Sequence, residues 1–278
     1  MERRDFAAAL AAVGERAPLV QCITNFVTVN DCANIVLAAG GSPTMAHDIR
    51  EVEESVAGVQ ALVLNMGAIE DVPSMLLAGK MANQLGVPVV LDPVAAGVTT
   101  LRRDSAKQLL EELRFAVIRG NASEIKALTL GASAGSGVDV NAVDAVTEEN
   151  LPQAVEMVQT LAQRTGAVVA LSGVMDIVAD GNRAVIIRNG CATMARITGS
   201  GCMLTALTGA FCGAVPQAPL LAAAAATAAM DVAGELADER RIKNRTGTAT
   251  FRNDLIDAMS NLTGAQLMEE INYEIYQG

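Results

Sequence analysis

The chain has 278 residues, of which 51% are hydrophobic and 18% charged, with a formal net charge of −11. That composition supports a large core and excludes a disordered or solvating chain; the acidic balance excludes a broad basic face for nucleic acid. Aromatic residues make up only 3% and Trp is absent, so the core is expected to be built from Ala, Val, Leu, Ile and Met, small enough to let helices lie tight on a sheet. At this length an α/β chain is commonly one domain, and a single domain over residues 1–278 is expected.

Met1-Glu2-Arg3-Arg4-Asp5 mixes acid with base, and the Ala-rich segment after it runs into Gly14-Glu15-Arg16 without a convincing cleavage site. It is taken as a first helix of a cytoplasmic protein. Short Val-, Ile- and Leu-rich runs then alternate with helical periodicity, the pattern of a mostly parallel sheet covered on both faces. Strands are expected over Pro18 to Ile23, Ala61 to Asn65, Pro88 to Leu91, Phe115 to Arg119 and Ala167 to Ser172. Asp176 to Ala179 and Arg183 to Arg188, separated by Asp180-Gly181-Asn182, form a hairpin pattern that adds an antiparallel pair. Helices are expected over Val29 to Ala39, Val72 to Gln84, Ser105 to Leu113, Ala122 to Leu130 and Leu151 to Thr165, with three more beginning near Cys202, Pro219 and Arg252. Gly131 to Gly137 has flexible-linker composition but is too short and central to separate domains, and is expected to be an exposed loop. No segment reaches the roughly 18 consecutive apolar residues of a membrane span; Leu220 to Met230, mostly Ala and broken by Thr227, is expected to be a buried helix.

The five cysteines, Cys22, Cys32, Cys191, Cys202 and Cys212, are odd in number and contain no CxxC pair. Neither a disulfide framework nor a zinc site fits them, and Cys22, Cys32 and Cys212 are expected simply to pack. His47 is the only imidazole, so a Cys-His pair could be assembled only with it, whereas its loop context favours a solvated ring.

Ile197-Thr198-Gly199-Ser200-Gly201-Cys202 is a glycine-rich turn opening into the apolar run that begins at Met203. Free amides of a first helical turn, with the positive end of the dipole behind them, make an anion site, and Cys202 within that turn would be favoured as a thiolate. The plain alternative is a loop-to-helix turn with glycines for packing. In doubly wound sheets ligands sit beyond the carboxyl ends of the strands. Those ends carry Thr24-Asn25, Asn65-Met66-Gly67, Asp92-Pro93, Gly120-Asn121 with Glu124 one turn on, and Ser172-Gly173. Asp92 and Glu124 could hold Mg²⁺ with a substrate phosphate, or Asp92 could cap a turn while Glu124 supports its own helix. Arg119 could clamp a phosphate or pair with Glu124. Walker loops and a GxGxxG after the first strand are absent, which argues against P-loop enzymes and ordinary dinucleotide dehydrogenases.

Taken in order, Gln21-Cys22-Ile23-Thr24-Asn25, Gly41-Ser42-Pro43-Thr44-Met45-Ala46, Leu91-Asp92-Pro93-Val94, Ile118-Arg119-Gly120-Asn121-Ala122-Ser123-Glu124-Ile125 and Thr198-Gly199-Ser200-Gly201-Cys202 resemble the hydroxyethylthiazole kinases of thiamin salvage, within the ribokinase-like superfamily. The resemblance covers nearly the whole chain. It implies a ribokinase-like three-layer sandwich and an ATP- and Mg²⁺-dependent transfer to the primary alcohol of 4-methyl-5-(2-hydroxyethyl)thiazole. It further implies that Asn25, Met45, Gly67 and Gly199 contact the thiazole substrate, with Cys202 in the catalytic position. Arg119, Asn121 and Ser172 would contact ATP, Gly199 to Cys202 would form the anion hole, and Asp92 and Glu124 would serve the metal and phosphates. Ser172 departs from the family's usual Thr but keeps a hydroxyl. A homotrimer with the thiazole site between subunits is implied in the same way. Other ribokinase-like small-alcohol kinases and the ADP-dependent hydrate dehydratases carry Asp where this chain has Cys202, which counts against them. A non-catalytic nucleotide sensor is the rival of another class.

Overall fold

The computed structural model describes residues 1–131 and 146–276. Helix α1 (Arg3–Arg16) precedes β1 (Leu19–Ile23), α2 (Val29–Ala38), β2 (Ser42–Thr44), α3 (Val52–Val56), β3 (Ala61–Asn65), α4 (Val72–Leu85) and β4 (Val89–Asp92). Then come α5 (Thr100–Glu112), β5 (Val117–Asn121), α6 (Ala122–Gly131), α7 (Leu151–Thr165), β6 (Val168–Ser172), β7 (Asp176–Ala179) and β8 (Ala184–Ile187). The C-terminal part holds α8 (Ser200–Ala214), α9 (Pro219–Asn244), α10 (Thr248–Asn261), α11 (Gly264–Glu270) and β9 (Tyr273–Tyr276).

Among the described residues these strands make one nine-stranded sheet in the order β2-β1-β3-β4-β5-β6-β7-β8-β9. Pairing is parallel from β2 to β6 and antiparallel from β6 to β9. Successive side chains of a strand point to opposite faces, and here both faces are apolar. Val20, Cys22, Val63, Val90, Val117, Val168 and Ala170 meet α1, α2, α8, α9 and α10 on one side. Ile23, Leu62, Leu64, Val89, Leu91, Ile118, Val169 and Leu171 meet α3 to α7 on the other. The result is the expected helix-sheet-helix sandwich. α9 is long and apolar enough to cross a membrane, yet 83% of its apolar window is buried inside the protein; Ala222 to Ala226 are wholly enclosed, as the small-residue core requires.

The expected elements recur with shifted ends. α5 starts at Thr100 rather than Ser105 because the Thr99 side chain accepts a hydrogen bond from the Arg102 amide and caps the helix there. The C-terminal third holds one more helix than expected, α11, whose cap is Thr263, and it ends in a strand. β9 pairs with β8 from Ala184↔Tyr276 to Ile187↔Tyr273. β2, three residues long, and α3 were also not anticipated. The linker-like segment expected from Gly131 to Gly137 falls, beyond Gly131, outside the described residues.

Candidate active site

The carboxyl ends of β1, β3, β4, β5 and β6 lie side by side, because these strands are adjacent and parallel. After β1, the Asn25 side chain caps the chain that enters α2: its Oδ1 accepts hydrogen bonds from the amides of Val27 and Thr28 and from the Thr28 hydroxyl. Its Nδ2 donates across to Asn65 Oδ1 at 3.3 Å and to the Cys202 sulfur at 3.5 Å. Asn65, at the end of β3, accepts the Gly67 amide at 2.8 Å and donates to Asp92 Oδ2 at 3.0 Å. Thr205, one turn inside α8, donates its hydroxyl to the same Asp92 oxygen at 2.7 Å.

α8 begins abruptly. Gly199 precedes it in the left-handed region at φ +85°, and a Cβ there would lie 2.6 Å from Thr28 Cγ2. The residue must be glycine on both counts. The first intrahelical bond is Met203 N–H to Gly199 carbonyl at 2.8 Å, and no side chain caps the turn. The amides of Ser200, Gly201 and Cys202 therefore face outward ahead of the ladder. The Arg119 guanidinium packs against this turn: a Cβ on Gly201 would meet Arg119 Nη1 at 2.5 Å. Arg119 is only 9% exposed. It donates through Nη2 to Ser172 Oγ and approaches Asp92 Oδ2 at 3.9 Å, while its Nε has no partner among the described residues. Open amides beside a desolvated guanidinium bind an oxyanion.

Burial raises the Asp92 carboxyl to about 6, opposed by Arg119, reinforced by the Glu124 charge and opposed again by the Thr205 hydrogen bond. Burial also raises the Cys202 thiol, helped by Asp92 and resisted by hydrogen bonds from Thr28, Asn65 and Asn25. The direction is the reverse of the thiolate expected at a helix N-terminus; desolvation beside a carboxylate outweighs the dipole. Glu124 holds the backbone: its Oε1 accepts the Ala95 amide and its Oε2 the Asn121 amide, both at 2.9 Å, while Asn121 Oδ1 accepts the Glu124 amide at 3.0 Å. This reciprocal cap starts α6 and fixes Ala95, which sits at φ 57°.

Residues 10–265 match the family model described as the hydroxyethylthiazole kinase family. The chain belongs to the hydroxyethylthiazole kinase family. It is 49% identical to a hydroxyethylthiazole kinase of Desulfovibrio desulfuricans, over 94% of this chain and 95% of that one. A solved hydroxyethylthiazole kinase structure from Pyrococcus horikoshii superposes with a TM-score of 0.86 at 34% identity, covering 98% of this chain and 99% of that one. A pyridoxal kinase from Staphylococcus aureus, 14% identical with a TM-score of 0.58 over 93% of this chain and 97% of that one, shares the fold. The chain is thus a phosphotransferase of thiamin salvage with ATP as co-substrate.

The residues singled out from sequence fall into one connected patch, except Met45, Asn121 and Glu124, whose carboxylate accepts the Ala95 and Asn121 amides. Asn25, Gly67, Asp92, Arg119, Ser172 and Gly199 to Cys202 are joined by the contacts above. Met45 is not joined to the patch by these hydrogen bonds: it sits on the loop after β2, at the same end of the sheet as Asn25, packed against the core, where its carbonyl accepts from His47 Nδ1 and the neighbouring Ala46 carbonyl from Gln21 Nε2; His47 itself is exposed, as expected. Asn121 is exposed and its Oδ1 is occupied in the α6 cap. Arg119 is drawn to Asp92 and Ser172 rather than to Glu124. Asp92 caps no turn with its side chain; it is the node where β3, β5 and α8 meet. Thr28 and Thr205 were not expected in the site, and Asn65 was expected there only as the polar end of β3. Thr205 carried a signal: a hydroxyl four residues after Gly201, on the same helix face as the turn.

Proposed function

We propose that this kinase transfers the terminal phosphoryl group of ATP to the primary alcohol of 4-methyl-5-(2-hydroxyethyl)thiazole at the open first turn of α8. The observation that carries the reading is that turn, uncapped and flanked by the buried Arg119 guanidinium on one side and the Cys202 sulfur with Asn25 on the other. In a loose phosphoryl-transfer transition state the protein mainly positions reactants and stabilises spreading negative charge. The amides of Ser200, Gly201 and Cys202 face the migrating group, and Arg119 and Ser172 hold the nucleotide phosphates, with Asn121 nearby on the nucleotide side. Asn25, Met45, Gly67 and Gly199 line the acceptor side. The Cys202 sulfur, kept a neutral thiol by burial, orients the acceptor hydroxyl as a weak hydrogen-bond partner, and the alcohol proton passes late to an oxygen of the transferred phosphoryl group.

Mg²⁺ belongs to this reading. Among the described residues the polar contacts to the Asp92 carboxyl group fall on Oδ2, which leaves Oδ1 for a ligand, and each Glu124 oxygen takes one amide and keeps a lone pair. Asp92 and Glu124 thus suit a hydrated Mg²⁺ shared with phosphates. When bound, the ion would neutralise phosphate charge.

A homotrimer is part of the proposal, supported by the apolar surface beside Asn25: Phe26 is 83% exposed and Val27 56%. A second copy covering these side chains would also close the acceptor side. The net charge of −11 supports small-molecule partners over nucleic acid, the enclosure of α9 argues against a membrane partner, and the five free cysteines support a cytoplasmic location. The test is ADP release from Mg-ATP with and without the thiazole alcohol. Turnover that does not depend on the alcohol refutes the acceptor, and nucleotide binding without turnover refutes catalysis.

A further inference from the structure

Behind the nucleotide side of the site lies a second acidic pair, Asp176 at the start of β7 and Asp231 in the apolar stretch of α9, both buried. Their carboxyl groups are within hydrogen-bond reach of one another. Asp176 Oδ1 accepts the Gly173 amide at 2.7 Å, and Gly173 directly follows Ser172, whose hydroxyl Arg119 holds. Asp231 Oδ2 is buried with no partner among the N–H and O–H donors of the described residues.

Two touching carboxylates in a protein interior cannot both ionise, so the pair keeps one proton. The charges facing it do not alter that count: Arg119 on β5 is the cation, while Glu235, one turn along α9, adds a further negative charge. Which residue carries the proton follows from the hydrogen bonds. Asp176 is stabilised as an anion by the Gly173 amide, whereas no N–H or O–H donor of the described residues reaches Asp231 Oδ2, so Asp231 is the one suited to hold the proton and donate to Asp176.

We infer that Asp231 is a positioning residue: as a protonated acid it donates a hydrogen bond that holds Asp176 on the Gly173 amide, and so fixes the Ser172 hydroxyl for the nucleotide. Burial raises the pKa of both groups, that of Asp231 well above the usual carboxylate value, with the neighbouring Asp176 charge adding to it. The Ser172 part of the inference rests on the proposed nucleotide site; the shared proton does not.

The experiment compares the full chain with Asp231→Asn and Asp231→Ala. An asparagine amide donates to Asp176 as the acid does, so Asp231→Asn is expected to bind ATP within about 3-fold of the unmodified protein, and Asp231→Ala about 10-fold or more weakly. Infrared spectra at pH 8, where Asp92 is ionised, are expected to show a protonated-carboxyl band that Asp231→Asn abolishes. Loss of ATP affinity in the asparagine variant as large as in the alanine variant, or absence of the band, overturns the inference; the asparagine variant alone suffices if the alanine variant does not fold. The infrared measurement needs no nucleotide. A protein that shows the band but fails to phosphorylate the thiazole alcohol sinks the proposed function and leaves the shared proton standing.

Discussion

Replacing Asp92 with asparagine should stabilise the ligand-free protein while disabling it. Asp92 is 1% exposed, and burial is the main reason its carboxyl titrates at about 6 rather than 3.8. A folded-state value above the unfolded one means that the native protein binds this proton more tightly. The contribution to stability is therefore complete below about pH 4 and is lost as pH rises through about 6. Asparagine imitates the protonated acid at every pH, and with its Oδ1 in the place of the carboxylate Oδ2 it accepts the same hydrogen bonds from Asn65 and Thr205. At about 1.4 kcal/mol for each tenfold change in acidity, the ionised carboxylate costs about 3 kcal/mol at pH 8. For a chain of this length that corresponds to a melting temperature about 5 °C higher in Asp92→Asn. Thermal unfolding of both proteins at pH 8 and pH 4, at one protein concentration, measures this, and turnover at pH 8 should fall at least about 10²-fold. Equal stability at pH 8, or an advantage that persists undiminished at pH 4, would refute the claim that a buried charge is held here at the expense of the fold.

Cys202→Ala should lower kcat by about 10²-fold or less, within or below the general-base range, with ATP affinity unchanged; a wholly dead variant with intact nucleotide binding contradicts an assisting role. Gly199→Ala meets both a positive φ and the Thr28 methyl, so it should cost about 1–3 kcal/mol of stability together with activity. Adding Thr28→Ser removes the methyl and should recover part of the stability in a melting experiment. Ser172→Thr keeps the hydroxyl that Arg119 grips and should leave KM for ATP within about 3-fold, whereas Ser172→Ala should raise it about 10-fold.

Sequence by itself determined the architecture and the open glycine-rich turn that begins α8. Both faces of a covered parallel sheet must be apolar, so runs such as Ala61 to Asn65 and Ala167 to Ser172 announce themselves, and Gly-Ser-Gly ahead of an apolar helix leaves amides open whatever surrounds it. The rule that ligands sit beyond the strand ends places Asn25, Asp92, Arg119 and Ser172 together from sequence alone. β2 and α3 were too short for periodicity to register, and β9 exists because β8 offers an edge; pairing is a property of two segments, not of Tyr273 to Tyr276 alone.

Tertiary structure alone decided the protonation states and the partners. Cys202 stands at a helix N-terminus, which favours a thiolate, yet enclosure beside Asp92 keeps the thiol neutral. Arg119 was expected to clamp a phosphate or pair with Glu124, and only the packing of β4, β5 and α8 sent it to Asp92 and Ser172. Asp231 is one acid in a run of alanines until α9 sets it against Asp176. Local pattern fixes where a side chain points along its own element, whereas solvation and charge are summed over every element packed around it.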